Sequence, residues 1–362
     1  MKPGESTVPL RPRILSGVQP SGKLHIGNYF GAIQQHIERQ ETGDCFYFIA
    51  DYHSLTSVKD AEEREAGAAA KTKGVPPRSA RLILADNVRD VALDYLALGL
   101  DPSKATFFRQ SDVPEVCELA WILSTVSGMG LLERAHSYKD KVSKGITSSV
   151  GLFTYPILMA ADILIYRSHL VPVGKDQEQH VEMTRDIAGA FNHAFGEVFP
   201  LPEAVFNEAA VVPGVDGQKM SKSYANTIEI FAEGKALKST VMSIVTDSTP
   251  VEEPKNPETC NVFKLYQLFA SPEEQANFAE MYRNPMVNAV ARNGRPFGYG
   301  DAKAALLSAI DGHFAPARER RKQLVRDPGY VEEVLQAGAK RAREAARVTM
   351  RVIRDRVGLH VG

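Results

Sequence analysis

Cysteine is scarce in this chain of 362 residues: Cys45, Cys117 and Cys260 stand far apart and form no CxxC pair. That spacing gives little support to a zinc or iron–sulfur site, and an odd count of isolated thiols fits a reducing compartment. Long apolar runs are missing as well. No stretch reaches the length of a membrane span, and the opening MKPGESTVPLRPR holds prolines and charges where a secretory leader would carry an apolar core. Excess charge of one sign is absent, with charged residues at 24 % and a net charge of −1. The molecule as a whole does not advertise a nucleic-acid partner, so any basic surface must be local. Internal repeats and low-complexity tracts are lacking too. What is present is 44 % apolar residues, enough for sizeable cores, over a length that suits two domains. The expectation is a soluble cytoplasmic protein.

Arg13-Ile14-Leu15-Ser16 reads as a short strand, followed by the glycine-rich stretch QPSGKLHIGNYFG (Gln19–Gly31). Tyr29, Ile33 and Ile37 then fall on one helical face. Cys45–Ala50 is an almost unbroken apolar run, as in strands buried on both faces of a parallel sheet. Ala61–Ala85 predicts a helix, a break at Pro76-Pro77 and a second helix. Ala105–Gln110 predicts a third strand behind a helix around Val91–Leu98. His169–Gly174 predicts a fourth, between helices near Tyr155–Tyr166 and Gln177–Phe195; in the latter, Thr184, Ile187, Ala188, Phe191 and Phe195 keep an amphipathic stripe. Strands alternating with helices predict an α/β fold, a doubly wound parallel sheet of Rossmann type, whose ligands sit beyond the carboxyl ends of the strands. After about Asn226 the chain reads as helices alone. Ala337–Val357 is strongly helical in composition, and Arg318–Arg356 carries twelve Lys or Arg against six Asp or Glu.

Two short motifs carry chemistry. The first, His25-Ile26-Gly27-Asn28, lies in a stretch that matches neither GxGxxG nor GxxxxGK[ST]. A helix N-terminus with free N–H groups suits a phosphate chain. Gly27 permits close backbone approach, and His25 can donate to a phosphoryl oxygen as charge builds there. The second, Lys219-Met220-Ser221-Lys222-Ser223, follows Val215-Asp216-Gly217-Gln218 and sets two ammonium groups three residues apart. Lysines act as mobile point charges and suit a pyrophosphate whose charge grows as it leaves. Taken singly, each motif loses to a plainer reading: a glycine-rich turn with an exposed histidine, and a solvated basic loop.

Together and in this order the two motifs resemble those of the class I aminoacyl-tRNA synthetases, which activate an amino acid with ATP and then charge tRNA. Further segments resemble the bacterial tryptophanyl-tRNA synthetases: Ser16–Gly22, His25–Tyr29, Asp51–Thr56, Thr154–Leu164, Val171–His180 and Thr184–Asp186. The resemblance covers most of Arg13–Asp247 and, weakly, the helical remainder. The tyrosine enzymes usually carry HxGH rather than HxGN and lack the PVGxDQxQH run.

The resemblance implies an indole pocket lined by Asp162 and Met159. The chemistry agrees, because an indole has one polar atom, an N–H donor, and a carboxylate is a pure acceptor. A side chain unable to satisfy that buried acceptor is penalised. Tyr155, Met159 and Asp162 are spaced to share one side of a helix, and the apolar setting Leu158–Leu164 argues against a surface carboxylate. By the same resemblance, Tyr155 and Gln177 hold the substrate ammonium and Gln19 its carboxylate side. His53 and Val173 lie at the substrate, and Leu15, where many relatives have phenylalanine, stands in the pocket wall. Gly17, Gln19, Ser21, Gly27, Asn28, Gly174 and Asp176 are to face ATP, with Lys219, Met220, Ser221 and Lys222. Lys141 matches a lysine that reaches the ATP phosphates in relatives, a solvated loop being an equal reading. The implied catalytic set is His25, Asn28, Lys219 and Lys222. Mg²⁺ is to arrive with ATP, and no metal held by the protein is expected.

The implied organisation is a catalytic domain over residues 1–225, including a dimer-forming segment and the KMSKS loop. A helical anticodon-binding domain follows over 226–362, its last helix packing back on the catalytic domain. The basic excess of that part is to bind tRNA(Trp), and the run Leu119–Leu132 is to form a homodimer interface. Lys175 replaces a common glutamate, Tyr224 follows KMSKS where many members have aspartate, and the segment 66–80 looks long. Three rivals stay open on the sequence: a tyrosine-specific enzyme, a small-molecule nucleotidyltransferase of the same superfamily, and a synthetase-like binding module.

Overall fold

The computed structural model describes residues 11–69, 76–135, 138–139, 149–206 and 211–359. Five strands form one sheet: β1 (Arg13–Val18), β2 (Asp44–Ile49), β3 (Ala105–Arg109), β4 (Leu170–Pro172) and β5 (Glu203–Val205). Their order is β3-β2-β1-β4-β5, and every neighbouring pair is parallel. This is the doubly wound α/β architecture expected from the alternation of strands and helices. β2 lies between β1 and β3 and buries Cys45–Ile49, which is why its sequence is apolar without alternation. β5 is the strand the sequence did not reveal. It is three residues long, and only its pairing with β4 makes it a strand.

The chain divides into two compact units, and each is discontinuous. One comprises Met1–Gly22, Gln35–Asn207 and Asp327–Gly362; the other comprises Lys23–Gln34 and Glu208–Arg326. Residues 225 and 226 both lie in the second unit. The HIGN segment and the KMSKS loop belong to the second unit, and the final helix belongs to the first.

In the first unit, the helix Val150–Ile165 starts where the Ser149 side chain accepts the Leu152 amide at 3.2 Å. The helix Ala80–Leu98 stops at Gly99, whose φ of 116° favours glycine. The helix Pro328–Val357 covers the edge strand β3. Its Gly338 sits so close that an added Cβ would stand 1.8 Å from the Phe107 carbonyl oxygen. Arg341 donates to the Pro102 and Ala105 carbonyls at 3.0 and 3.3 Å, Arg109 pairs with Glu332, Arg343 and Arg347 bond Glu115, and Arg354 bonds Glu118. Arg343, Arg347 and Arg354, part of the basic excess of Arg318–Arg356, thus pair with carboxylates of the helix Glu115–Ser124, and Arg347 stays 60 % exposed while it does so. Within Leu119–Leu132, Leu119, Ile122, Leu123 and Leu132 are core residues, while Trp121 and Met129 are 73 % and 63 % exposed.

The second unit is built on the helices Gly234–Met242, Asn261–Tyr266, Pro272–Arg283 and Tyr299–Arg326. Pro272–Arg283 opens on a capping box between Ser271 and Glu274 with proline in the first turn. Phe263, Phe278, Tyr282 and Phe297 pack ring against ring between these helices.

Candidate functional site

In the first unit, the segments that leave β1 to β4 at their carboxyl ends carry the residues singled out above. Gly17 is the next-to-last residue of β1, and Gln19 stands just after the strand. A Cβ at Gly17 would lie 2.5 Å from the Phe48 ring, so glycine is required there, and the exposed Gln19 amide donates to Ser57 Oγ at 3.3 Å. Ser21 is exposed. After β2 the short helix Asp51–Ser54 carries His53, and after β3 comes Gln110. After β4, Gly174, Asp176 and Gln177 form a turn in which the Gln177 amide donates to Asp176 Oδ2 at 3.1 Å. A Cβ at Gly174 would meet Asp176 Oδ1 at 2.6 Å. The neighbouring Lys175 turns away, its ammonium 5.6 Å from the Phe206 ring centroid.

Asp162 is the buried centre of this group, at 2 % exposure. Its Oδ2 accepts from His53 Nε2 at 2.9 Å, and the Gln110 amide donates to both Oδ1 and Oδ2 at 2.9 Å. Burial pushes the Asp162 carboxyl above its ordinary range, and the His53 and Gln110 bonds pull the other way. Tyr155 stands edge-on to His53, with ring centroids 6.3 Å apart, and its hydroxyl bonds His180 Nε2. Met159 and Val173 are half-buried against the adjoining core, in which Leu15 is fully packed. The structure therefore gathers His53, Tyr155 and Asp162 into one cluster.

In the second unit the two motifs meet. Backbone bonds from Ile26 to Ile228 (2.9 Å) and from Ile230 to Leu24 (3.1 Å) zip the HIGN segment onto the chain that follows the KMSKS loop. The Gly27 amide donates to Met220 Sδ at 3.4 Å. A Cβ on Gly27 would stand 3.0 Å from His25 Nδ1 and 3.3 Å from Met220 Cβ, so this glycine lets the motifs touch. His25 is buried at 6 % exposure, and its Nδ1 has no hydrogen-bond partner among the described residues. Burial first, and then the Lys222 charge, lower its pKa to about 4, so the ring is neutral at pH 7. Asn28 Oδ1 accepts the His25 amide at 3.1 Å and caps the turn. The expected regular helix from Tyr29 is instead a π-helical turn over Tyr29–Ile33, then α-helix over Gln34–Arg39. The wider turn lets Tyr29 and Phe30 pack on Phe269, His313 and Phe314.

The KMSKS loop is held by a residue that pattern reading missed. Asn226, 1 % exposed, donates to Asp216 Oδ1 at 2.7 Å and to the Lys219 carbonyl at 3.1 Å, and accepts the Ser221 amide at 2.8 Å. Gly217 turns the loop with φ of 85°. Lys219 and Lys222 are exposed, as is Tyr224 at 61 %. Gln110 was missed as well, although its place at the end of a strand flags it. Lys141 lies outside the described residues, as does part of the segment 66–80.

A model of the family described as tRNA synthetases class I (W and Y) matches residues 10–315. The chain is similar to the tryptophan–tRNA ligase of Fusobacterium nucleatum, 53 % identical over 96 % of this chain and 98 % of that one. It is similar to the same ligase of Rhodopirellula baltica, 51 % identical over 96 % and 99 %. Among solved structures it resembles tryptophanyl-tRNA synthetase from Campylobacter jejuni complexed with ADP and tryptophan. The TM-score is 0.83 at 48 % identity, covering 96 % of this chain and 100 % of that chain.

Proposed function

The chain belongs to the class I tRNA synthetases of the W and Y group, and from that we infer its reaction, the ligation of tryptophan to tRNA. L-Tryptophan and ATP give tryptophanyl-adenylate and pyrophosphate, and the tryptophanyl group then passes to the 3′-terminal adenosine of tRNA(Trp). The observation that carries the choice of amino acid is the buried Asp162 carboxylate, an acceptor without a donor of its own, set among apolar residues.

The tryptophan carboxylate is already ionised at pH 7, so it attacks the α-phosphorus without a general base. An oxygen–phosphorus bond forms as the bond to pyrophosphate breaks, and the acceleration is positioning plus electrostatics. ATP is taken as its Mg²⁺ complex, with the cation carried by the phosphates. Neutral His25 donates a hydrogen bond to a phosphate oxygen, Asn28 offers its amide N–H₂, and Lys219 and Lys222 neutralise the departing pyrophosphate. Gly17, Gln19, Ser21, Gly27, Gly174, Asp176, Met220 and Ser221 make room for or border the nucleotide, and Lys141 joins them. Asp162 accepts the indole N–H between Met159 and Val173, with Leu15 behind. Tyr155 and Gln177 take the ammonium group, and His53 and Gln19 complete the amino-acid side. The helical part binds the anticodon region of tRNA. Two copies associate through the face bearing Trp121 and Met129, whose exposed apolar surface supports that reading.

The test is ATP-dependent formation of acid-precipitable tryptophanyl-tRNA from labelled tryptophan. Charging with tryptophan is expected; a folded sample that charges no tRNA contradicts the reading and favours a binding module.

A further inference from the structure

Gln110 is 1 % exposed and belongs to the turn Gln110–Asp112 that follows β3. Its side-chain carbonyl accepts the Tyr52 backbone N–H at 3.1 Å. A backbone N–H can only donate, so the atom facing it is the amide oxygen, and this fixes the amide's orientation. The N–H₂ end must then face Asp162, where it lies 2.9 Å from both carboxylate oxygens. His53 Nε2 adds a second donor on Oδ2 alone. Each carboxylate oxygen offers about two lone-pair directions. Oδ2 is therefore filled by His53 and Gln110, and Oδ1, bonded among the described residues by Gln110 only, keeps one direction open.

We propose that Gln110 is a positioning residue for tryptophan recognition, turning the Asp162 carboxylate so that Oδ1 is the oxygen that accepts the indole N–H. The proposal rests on the tryptophan reading above and deepens it. Gln110 acts through Asp162 and is a different kind of residue from those that touch ATP. Its own anchor is firm: the Asp51 carboxylate holds the Ser111 amide at 2.9 Å and shares the Tyr52 amide with Gln110. An amide suits this place better than any charged group. A cation would neutralise the acceptor, and a carboxylate would repel it.

Gln110 also favours the anionic form of Asp162, since a donor to a carboxylate stabilises its charge. The groups that bear on Asp162 are His53 and Asp51 from the helix Asp51–Ser54, Gln110 from the turn after β3, Cys117 from the helix Glu115–Ser124, and Tyr166 at the end of its own helix. Asp51 pushes the carboxyl up, and His53 and Gln110 pull it down. Removing the Gln110 donor raises the Asp162 pKa. Tryptophan binding through the anion then fails at a higher pH than in the parent protein.

The experiment is steady-state ATP–pyrophosphate exchange on the full chain and on Gln110→Met, which keeps length and burial but donates nothing. The expected result is a rise of ten-fold or more in KM for tryptophan, with KM for ATP and kcat at saturating tryptophan within about three-fold. The acid limb of kcat/KM for tryptophan moves to higher pH. The preference for tryptophan over its benzothienyl analogue, which lacks the N–H, shrinks by a similar factor. An unchanged KM for tryptophan and an unmoved acid limb overturn the proposal, as does an equal loss toward tryptophan and the analogue. If Gln110→Met loses ATP affinity and thermal stability together, Gln110 is a packing residue and the proposal also fails. Absence of tryptophan-dependent exchange in the parent protein is a separate outcome, and it contradicts the functional reading itself.

Discussion

The backbone N–H of Gly27 donates to the thioether of Met220 at 3.4 Å, joining the HIGN segment to the KMSKS loop across 193 residues of sequence. The contact exists because residue 27 has no side chain. A methyl group there stands 3.0 Å from His25 Nδ1 and 3.3 Å from Met220 Cβ. Gly27→Ala therefore displaces the histidine ring or the loop. Expected is a loss of about ten- to a hundred-fold in kcat/KM for ATP, the scale of a one-ångström misplacement in a catalytic site. Tryptophan affinity is expected to be unchanged, as measured by pyrophosphate exchange and by equilibrium dialysis.

Lys222 and Asn226 separate charge from its support. Lys222→Ala removes one ammonium and is expected to cut exchange by about 10²–10³, the range of losing one charge-stabilising donor. Tryptophan binding should stay nearly intact. Asn226→Ala leaves both lysines in place but deletes three bonds that shape the loop. It should lower kcat through loop disorder and bring a measurable loss of protection of the Ser221 amide in hydrogen exchange. Loss of tryptophan binding in Lys222→Ala would mean that the lysine is structural.

Two buried histidines tie stability to pH. His36, stacked on Tyr47 and bonded to Tyr95 Oη at 3.1 Å, is lowered by burial, and then by Arg39, from 6.5 to about 3. His25 is lowered from 6.5 to about 4. A folded-state pKa below the unfolded one means that the unfolded chain binds more protons between these values. Stability is then complete above pH 6.5 and falls as the pH drops toward 3–4, by about 1 kcal/mol per pH unit for each group. Urea midpoints measured at pH 7.5 and at pH 5 check this. His36→Gln should flatten the difference, and an unchanged slope would show that other groups govern it.

Gly338 tests how the last helix is held. A side chain there would overlap the Phe107 carbonyl, so Gly338→Ala must push the helix off β3 or bend it. Expected is a destabilisation of about 3 kcal/mol or more, at the upper end of overpacking, read as a shift in denaturant midpoint. A change below 0.5 kcal/mol, the scatter of neutral surface substitutions, would contradict the close approach.

The legible parts of the molecule were those in which one residue type implies one environment. Cys45–Ile49 reads as a doubly covered strand because all five positions are buried. Asp162 stands out because a carboxylate in Leu158–Leu164 needs a reason to be there. β5 was not legible, because three residues carry no periodicity. The discontinuous units were not legible either. Backbone bonds between Leu24–Ile26 and Ile228–Ile230 join the two segments of the second unit, and nothing in either segment names its partner. Gln110 and Asn226 escaped because polar side chains that serve other residues look like loop chemistry in sequence. Only their burial, at 1 % exposure each, and their bonds distinguish them.

The central claim is that this chain adenylylates tryptophan and not tyrosine, and ATP–pyrophosphate exchange with each of the twenty amino acids tests it most directly. Exchange with tryptophan and at most trace exchange with tyrosine is the predicted result, and Asp162→Ala should abolish the preference. Exchange with tyrosine and none with tryptophan would contradict the account.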